Sequence, residues 1–282
     1  MNCPIKKEKE VSKMKKIIQS LTDANLAEAM DNNNIKFWTS YGNHPGGYYK
    51  NEPGIAWSIA GFNFSLYNSF LRSNLAEKDF EIKFKDFMDI IKTNKLPANF
   101  WQTPTSQPVN INKVLIQLGW KQSRQSPAMA MDIINLNKVN AIPNFKIELV
   151  QDDEQRMLWA DILNRSVGMN DQDIAELKNV ELTISNSTYN SQYRYLGYLN
   201  GEAVATGLIQ PGDGLAGIYC IATLPKARNR GIGTYITFKL IEFSSDLGYK
   251  VVFLTSSVMG YRIYSNIGFK DIFHYSNYSW SS

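Results

Sequence analysis

Cysteine and histidine are almost missing from this chain: Cys3, Cys220, His44 and His274 are the only examples in 282 residues. Two scattered cysteines make a disulfide framework a poor reading, and a reducing cytoplasm is the expected setting. Two histidines and two distant cysteines cannot be read as a zinc site. No G-x-S-x-G nucleophile signature accompanies either histidine, which argues against a serine or cysteine hydrolase. Long apolar runs are also lacking, and nothing approaches the ~18 residues that span a bilayer. No stable membrane insertion is expected. The start, Met1 to Lys16, has charge but no apolar core, unlike a secretory signal.

Charge of one sign is scarce on the body as well. The net charge is +4, from 30 basic and 26 acidic residues. Residues 1–20 hold six Lys and two Glu, so the remaining chain carries 24 of each sign. A basic face for nucleic acid is therefore not expected. Residues 1–20 read as a solvated tail or helix.

An ordinary soluble composition is present, with 44% hydrophobic and 20% charged residues, and the length suits two domains. An Asn-rich stretch, Asn135 to Asn144, contains Pro143 and reads as a connection near the midpoint. The predicted division is a tail over 1–20, one domain over 21–138, a linker over 139–145 and a second domain over 146–282. In the second half, helices are expected from Asp152 to Ser166 and over 170–182. Strands are expected at Tyr193 to Leu199 and Glu202 to Ile209, joined by Asn200-Gly201, a tight hairpin turn. Another follows at Leu215 to Thr223. From Thr234, Ile236, Leu240, Phe243 and Leu247 form a helical stripe that stops at Gly248. A strand over 251–256, a helix over Tyr261 to Ile267 and a strand over Phe269 to Trp280 complete the half. This order implies an α/β (α+β) layer on a mixed, largely antiparallel sheet flanked by helices.

The first half is less legible. Helices are read at Asp23 to Met30 and Asp79 to Thr93. Strands are read at Ile55 to Ala60, Asn68 to Leu71, Phe100 to Gln102 and Met129 to Ile134. Gly119-Trp120-Lys121 echoes Gly268-Phe269-Lys270 at an offset of 149 residues, which suggests a distant tandem repeat.

Between the strand at 215–223 and the helix lies Arg228-Asn229-Arg230-Gly231-Ile232-Gly233. A helix start offers unpaired N–H groups and the positive end of a dipole, and glycines let an anion approach closely. Arg228 and Arg230 add positive charge. Two readings stand on the turn alone: a pyrophosphate cradle, or a tight turn with solvated arginines. Neither a Walker A loop nor a full G-x-G-x-x-G fingerprint is present.

In context this turn resembles the GNAT superfamily of acyl-CoA-dependent acyltransferases, whose phosphate turn is Q/R-x-x-G-x-G/A. A second block follows in order: the strand, Ser257, and Tyr264-Ser265-Asn266-Ile267-Gly268-Phe269. The likeness covers roughly residues 146–280. The first half is similar to the degenerate half of tandem GNAT proteins, so two GNAT-like domains are expected. The resemblance implies acetyl-CoA or coenzyme A as a substrate and no metal. Its diphosphate would meet Arg228, Asn229, Arg230, Gly231, Ile232, Gly233 and Thr234. Its pantetheine arm would lie beside Ile221, Ala222 and Thr223, and Tyr264 would assist the departing sulfur. Ser257, which stands where many members carry Asn, would be a further contact to the coenzyme.

The resemblance departs at the general base. Leu215 to Thr223 holds no carboxylate, and Asp171, Asp173, Glu176, Glu202 and Asp213 read as surface acids. Either a low-pKa amine or a base reached through water is implied. By the offset, Leu115 replaces Tyr264 and Asp79 replaces Arg228, so the first half reads as a scaffold beside the acceptor groove. Trp38, Tyr41, Tyr48, Tyr49, Trp57 and Trp101 are either core or groove lining, and Gly42 to Gly47 is a candidate lid. The expected function is N-acetyl transfer from acetyl-CoA to a small-molecule or peptide amine in a ternary complex. The alternatives are a catalytically weak acyl-CoA-binding sensor or interaction protein, and transfer from a longer acyl or aminoacyl donor.

Overall fold

The structure is a computed structural model that describes residues 16–184 and 186–281. Most of the lysine-rich tail, through residue 15, and Cys3 lie outside the described residues. The chain forms two compact bodies, each assembled from separate segments.

The first body comprises Asn34–Pro127, Met169–Asn190 and the segment from Phe273 onward. Helix α1 (Leu26–Ser40) ends in it. Strands β1 (Tyr48–Glu52), β2 (Ile55–Ile59) and β3 (Asn68–Ser73) follow as an antiparallel meander. Helix α2 (Glu77–Thr93) then returns the chain to β4 (Ala98–Gln102), which lies parallel to β3 through Phe70 and Phe100. Phe80, Phe84, Phe87, Met88 and Ile91 are the buried stripe of α2, at helical spacing. They close over Phe70 and Phe100, whose rings stack at 5.1 Å. A short helix α3 (Ile111–Gln117) leads into β5 (Lys121–Asp132).

The second body comprises residues 16–33, Ala128–Gly168 and Ser191–Ile272. Its elements are β6 (Phe145–Leu149) and α4 (Asp153–Ser166), followed, after α5 (Asp171–Thr183) and α6 (Asn186–Tyr189) of the first body, by β7 (Tyr193–Leu199). Next come β8 (Glu202–Gly212), β9 (Leu215–Thr223), α7 (Ile232–Asp246), β10 (Val251–Thr255), α8 (Val258–Ile267) and the start of β11 (Lys270–Trp280). β6 to β9 are antiparallel neighbours, and β9 and β10 run parallel. Asn200 (φ 51°) and Gly201 (φ 83°) make the left-handed turn that the Asn-Gly pair predicts.

The final strands of the two halves are exchanged. Residues 128–132 of β5 pair antiparallel with β10, and residues 276–280 of β11 pair antiparallel with β4. Each body's sheet is thus completed by a strand from the other half of the sequence.

Most of the expected elements of the second half appear within a few residues. The helix expected at Asp23 to Met30 instead runs on to Ser40. Its Asp31 to Asn34 stretch favours turns in isolation. Tertiary bonds override that preference, since Asn33 donates its amide to Gln210 O (3.0 Å) and accepts from the Tyr219 hydroxyl (3.0 Å). Strand β1 carries little strand signal because its Tyr-Tyr-Lys-Asn-Glu sequence is mostly exposed. β6 is hidden behind the Asn-rich stretch. β5 begins eight residues before Met129, in a polar run where Ser126 Oγ donates to Asn277 Oδ1 (2.7 Å). Of the first-half aromatics, Tyr41, Trp57 and Trp101 are core, Trp38 is half-buried, and Tyr48 and Tyr49 are half exposed.

Candidate active site

The candidate site begins in β9. Thr206 and Leu208 of β8 stand opposite Ala222 and Tyr219, so three steps of β9 match two of β8. This bulge puts Cys220 at φ 54°, and Thr206 Oγ1 holds the Cys220 carbonyl at 2.8 Å. The bend has a consequence on the other side of β9. The ladder to β10 comprises Ala216–Val252 and Gly217–Phe253 and ends there, while pairing with β8 continues to Thr223. Among the described residues, Ile221, Ala222 and Thr223 therefore lie along a strand paired on the β8 side. Such an edge presents backbone N–H and C=O groups to an extended, amide-bearing ligand.

The chain leaves β9 through a 3₁₀ turn, Pro225–Ala227, and reaches α7 by two left-handed residues, Asn229 (φ 61°) and Gly231 (φ 75°). No side chain caps α7, and no acid lies in its first turn. Its first intrahelical bond runs from Tyr235 N to Gly231 O (2.9 Å). The amides of Ile232, Gly233 and Thr234 precede that bond and have no carbonyl four residues back within the helix. Gly231 needs its glycine for the positive φ. Gly233 does not, because it sits inside the helix. A Cβ there would meet only Ile263 Cδ1 at 3.7 Å, an ordinary contact. Glycine in a helix costs ~1 kcal/mol relative to alanine, so packing within the protein gives no reason for it.

The two arginines part ways. Arg230 is exposed. Arg228 is half-buried, its Nε donating to Thr223 O (3.1 Å) and its Nη2 to Ser166 O (2.6 Å). The Ser166 carbonyl belongs to the last turn of α4, where a cation also meets the negative end of the helix dipole. Arg228 thus ties the end of β9 to the end of α4 and fixes the turn, with its charge directed at protein carbonyls. Ile232 is buried in the cluster with Phe145, Ala227 and Ile236, which anchors the start of α7.

Ser257 is the N-cap of α8, its Oγ accepting from Gly260 N (3.1 Å). Tyr264 lies two turns into that helix and is 9% exposed, packed with Leu240, Leu254 and Phe269. Among the described residues its hydroxyl has no hydrogen-bond partner. Burial pushes its phenol up to about 12, so it is a neutral donor across the physiological range. Thr255, at the end of β10, carries a buried Oγ1 with no partner in the described structure. No sequence motif marks that residue.

The acids take other positions. Glu202 pairs with Lys226, Asp173 accepts from Asn170 Nδ2 (2.7 Å), and Asp213 sits in the β8–β9 turn at φ 57°. No carboxylate occurs on β9. His44 Nε2 lies 3.1 Å from Ala60 O in the 42–47 loop. No cluster of three or more His, Cys, Asp or Glu able to hold a metal occurs among the described residues. No helix among them is long and apolar enough to cross a membrane.

Comparison with known proteins gives this geometry a family. Residues 159–269 match the model of the Acetyltransferase (GNAT) family. No curated protein sequence matches the chain. Among solved structures, a GCN5-related N-acetyltransferase from Kribbella flavida has a TM-score of 0.58 at 14% identity, over 89% of this chain and 95% of its own. A functionally unknown conserved protein from Staphylococcus epidermidis has a TM-score of 0.63 at 13% identity, over 84% and 94%. A tandem GNAT protein from the clavulanic acid biosynthesis pathway has a TM-score of 0.58 at 8% identity, over 94% and 97%. At these identities the likeness is one of fold. The likeness to the GNAT family thus lies in the C-terminal region of this chain, residues 159–269, on a fold shared with a tandem GNAT protein.

Proposed function

We propose that the protein transfers an acetyl group from acetyl-CoA to the amine of a small molecule or peptide. The observation that carries the reading is the uncapped, acid-free start of α7, with a glycine at 233 that no packing contact among the described residues requires, directly after a strand whose register with β10 covers Ala216 and Gly217 while its register with β8 continues to Thr223. The diphosphate accepts from the amides of Asn229, Gly231, Gly233 and Thr234, and Arg230 adds charge at the rim. The pantetheine amides pair with the backbone of Ile221, Ala222 and Thr223. Arg228 contributes by holding the turn in shape.

In the chemistry, the neutral amine attacks the thioester carbonyl within a ternary complex. A C–N bond forms, the C–S bond breaks, and coenzyme A leaves as a thiolate. Tyr264 donates a hydrogen bond to that sulfur. Full transfer of the phenol proton is unfavourable: with a phenol near 12 and a thiol near 8.5, it is uphill by roughly 5 kcal/mol. The thiolate therefore takes its proton from the ammonium product of attack, through water. The lack of a carboxylate on β9 favours an acceptor whose amine is substantially neutral at pH 7.

The proposed domain division is a tail (1–20), a degenerate GNAT-like domain (21–138), a linker (139–145) and the acetyltransferase domain (146–282). The proposed setting is the cytoplasm. A second reading, a coenzyme-binding sensor without turnover, is favoured by the same missing carboxylate. Calorimetry with acetyl-CoA, then single-turnover release of free thiol against an amine panel, separates the two. Binding without thiol release supports the sensor, and no binding at millimolar acetyl-CoA refutes both.

A further inference from the structure

In a helix, side chains lean toward the N-terminus, so residue i lies over residue i−4. For Tyr264 that residue is Gly260. A Cβ added at Gly260 would stand 2.6 Å from Tyr264 Cε2, 3.0 Å from Cζ and 3.2 Å from the hydroxyl oxygen. These separations are far inside van der Waals contact. The phenol ring therefore lies in space that exists because residue 260 has no side chain.

Nothing else in the local structure asks for glycine there. Gly260 is not among the residues with positive φ, so its backbone suits alanine. Its N–H is held by Ser257, a bond that any residue except proline makes. Glycine in the first turn of a ten-residue helix is the weaker helix former.

The first half supplies an internal control. Helices α3 and α8 end in the same way: Trp120 N reaches Leu115 O (3.0 Å) as Phe269 N reaches Tyr264 O (3.1 Å), and the intervening Gly119 and Gly268 take positive φ. Leu115 thus stands where Tyr264 does, and the residue four before it is Ile111. Both Ile111 and Leu115 are fully buried in an apolar cluster. A large side chain at that position serves packing, whereas glycine opposite Tyr264 clears room for an aromatic ring and its hydroxyl.

We infer that Gly260 is a positioning residue: by lacking a side chain it lets the Tyr264 ring fold back over the first turn of α8, which sets where the hydroxyl points. The inference rests on the proposed role of Tyr264 only for its effect on turnover. Its structural content stands separately.

The test is Gly260→Ala, read in three ways. The 13C-tyrosine Cζ resonance of Tyr264, assigned by its loss in Tyr264→Phe, moves in Gly260→Ala. Acetyl-CoA turnover falls about tenfold or more while its Kd stays within about twofold, the pattern expected when a donor to the reacting sulfur is displaced. In a Tyr264→Leu background, which removes the ring, the same alanine no longer lowers Tm and raises it through better helix propensity. An unmoved Cζ resonance, or an equal loss of Tm in both backgrounds, overturns the inference even if the alanine variant is poorly active. A moved resonance with full turnover in both Gly260→Ala and Tyr264→Phe removes Tyr264 from the chemistry and leaves the positioning of its ring by Gly260 intact.

Discussion

β3, α2, β4 and α3 follow one another as β9, α7, β10 and α8 do, with the same parallel pairing of β3 with β4 and of β9 with β10. The two series differ at their helix starts. α2 opens at Ala76, again without a side-chain cap, and places Glu77 and Asp79 in its first turn. Those carboxylates answer the helix dipole from within the chain. α7 opens at Gly231 with no acid and with glycine at Gly233, so no carboxylate of its own first turn answers its positive end. Element by element, Glu77 stands where Ile232 does, which corrects the fixed 149-residue offset that set Asp79 against Arg228. The helix ends show the same divergence, with Leu115 in an apolar core and Tyr264 holding a hydroxyl without a partner among the described residues. One topology therefore serves packing in one place and a candidate anion and thioester site in the other.

Substitutions at equivalent positions sharpen this contrast. The largest expected effect is on stability: Leu115→Ala, at a fully buried position, lowers unfolding free energy by about 2–5 kcal/mol in denaturant titrations. If it instead leaves stability intact and abolishes acetyl-CoA binding, the scaffold reading of the first half fails. Tyr264→Phe is expected to cut kcat about 10²- to 10³-fold with little change in acetyl-CoA Kd, as for loss of a donor to developing charge. Unchanged turnover removes that donor from the mechanism. Gly233→Val is expected to weaken acetyl-CoA binding about a hundredfold, ~2.7 kcal/mol by calorimetry. Lys78→Val, at the equivalent position of α2, should leave binding unchanged.

Arg228→Ala should cost about 2 kcal/mol of stability, because it strips charged donors from Thr223 O and Ser166 O. It should weaken binding only in proportion to the loosened turn. A large loss of affinity with no loss of stability would instead assign its charge to the ligand. The smallest effect concerns pH. The native Tyr264 phenol lies near 12 and the unfolded one near 10, so its contribution is complete below pH 10 and fades as pH rises through 12. At pH 11 the loss amounts to about 1 kcal/mol, and Tyr264→Phe should flatten the alkaline stability curve by that much.

Much of the second half was legible because its signals are local. Asn200-Gly201 fixes a hairpin, the stripe from Ile236 to Leu247 fixes a helix, and Gly231 and Gly268 mark helix boundaries by the backbone angles they allow. The turn at 228–233 was legible for the same reason. The engagement of Arg228 by two carbonyls was not, since Ser166 is sixty-two residues away in sequence. Nor was the length of α1, where tertiary bonds at Asn33 outweigh the turn preference of four polar residues.

The sequence by itself determined the order of helices and strands from β7 onward, the glycine turn and the absence of a carboxylate on β9, because each is written in neighbouring residues. Only the tertiary structure decided that β5 completes the sheet at β10 and β11 the sheet at β4. Apolar alternation tells a strand which face to bury but says nothing about which strand it pairs with. The seating of the Tyr264 ring over Gly260 was decided the same way, by the space that one missing side chain leaves.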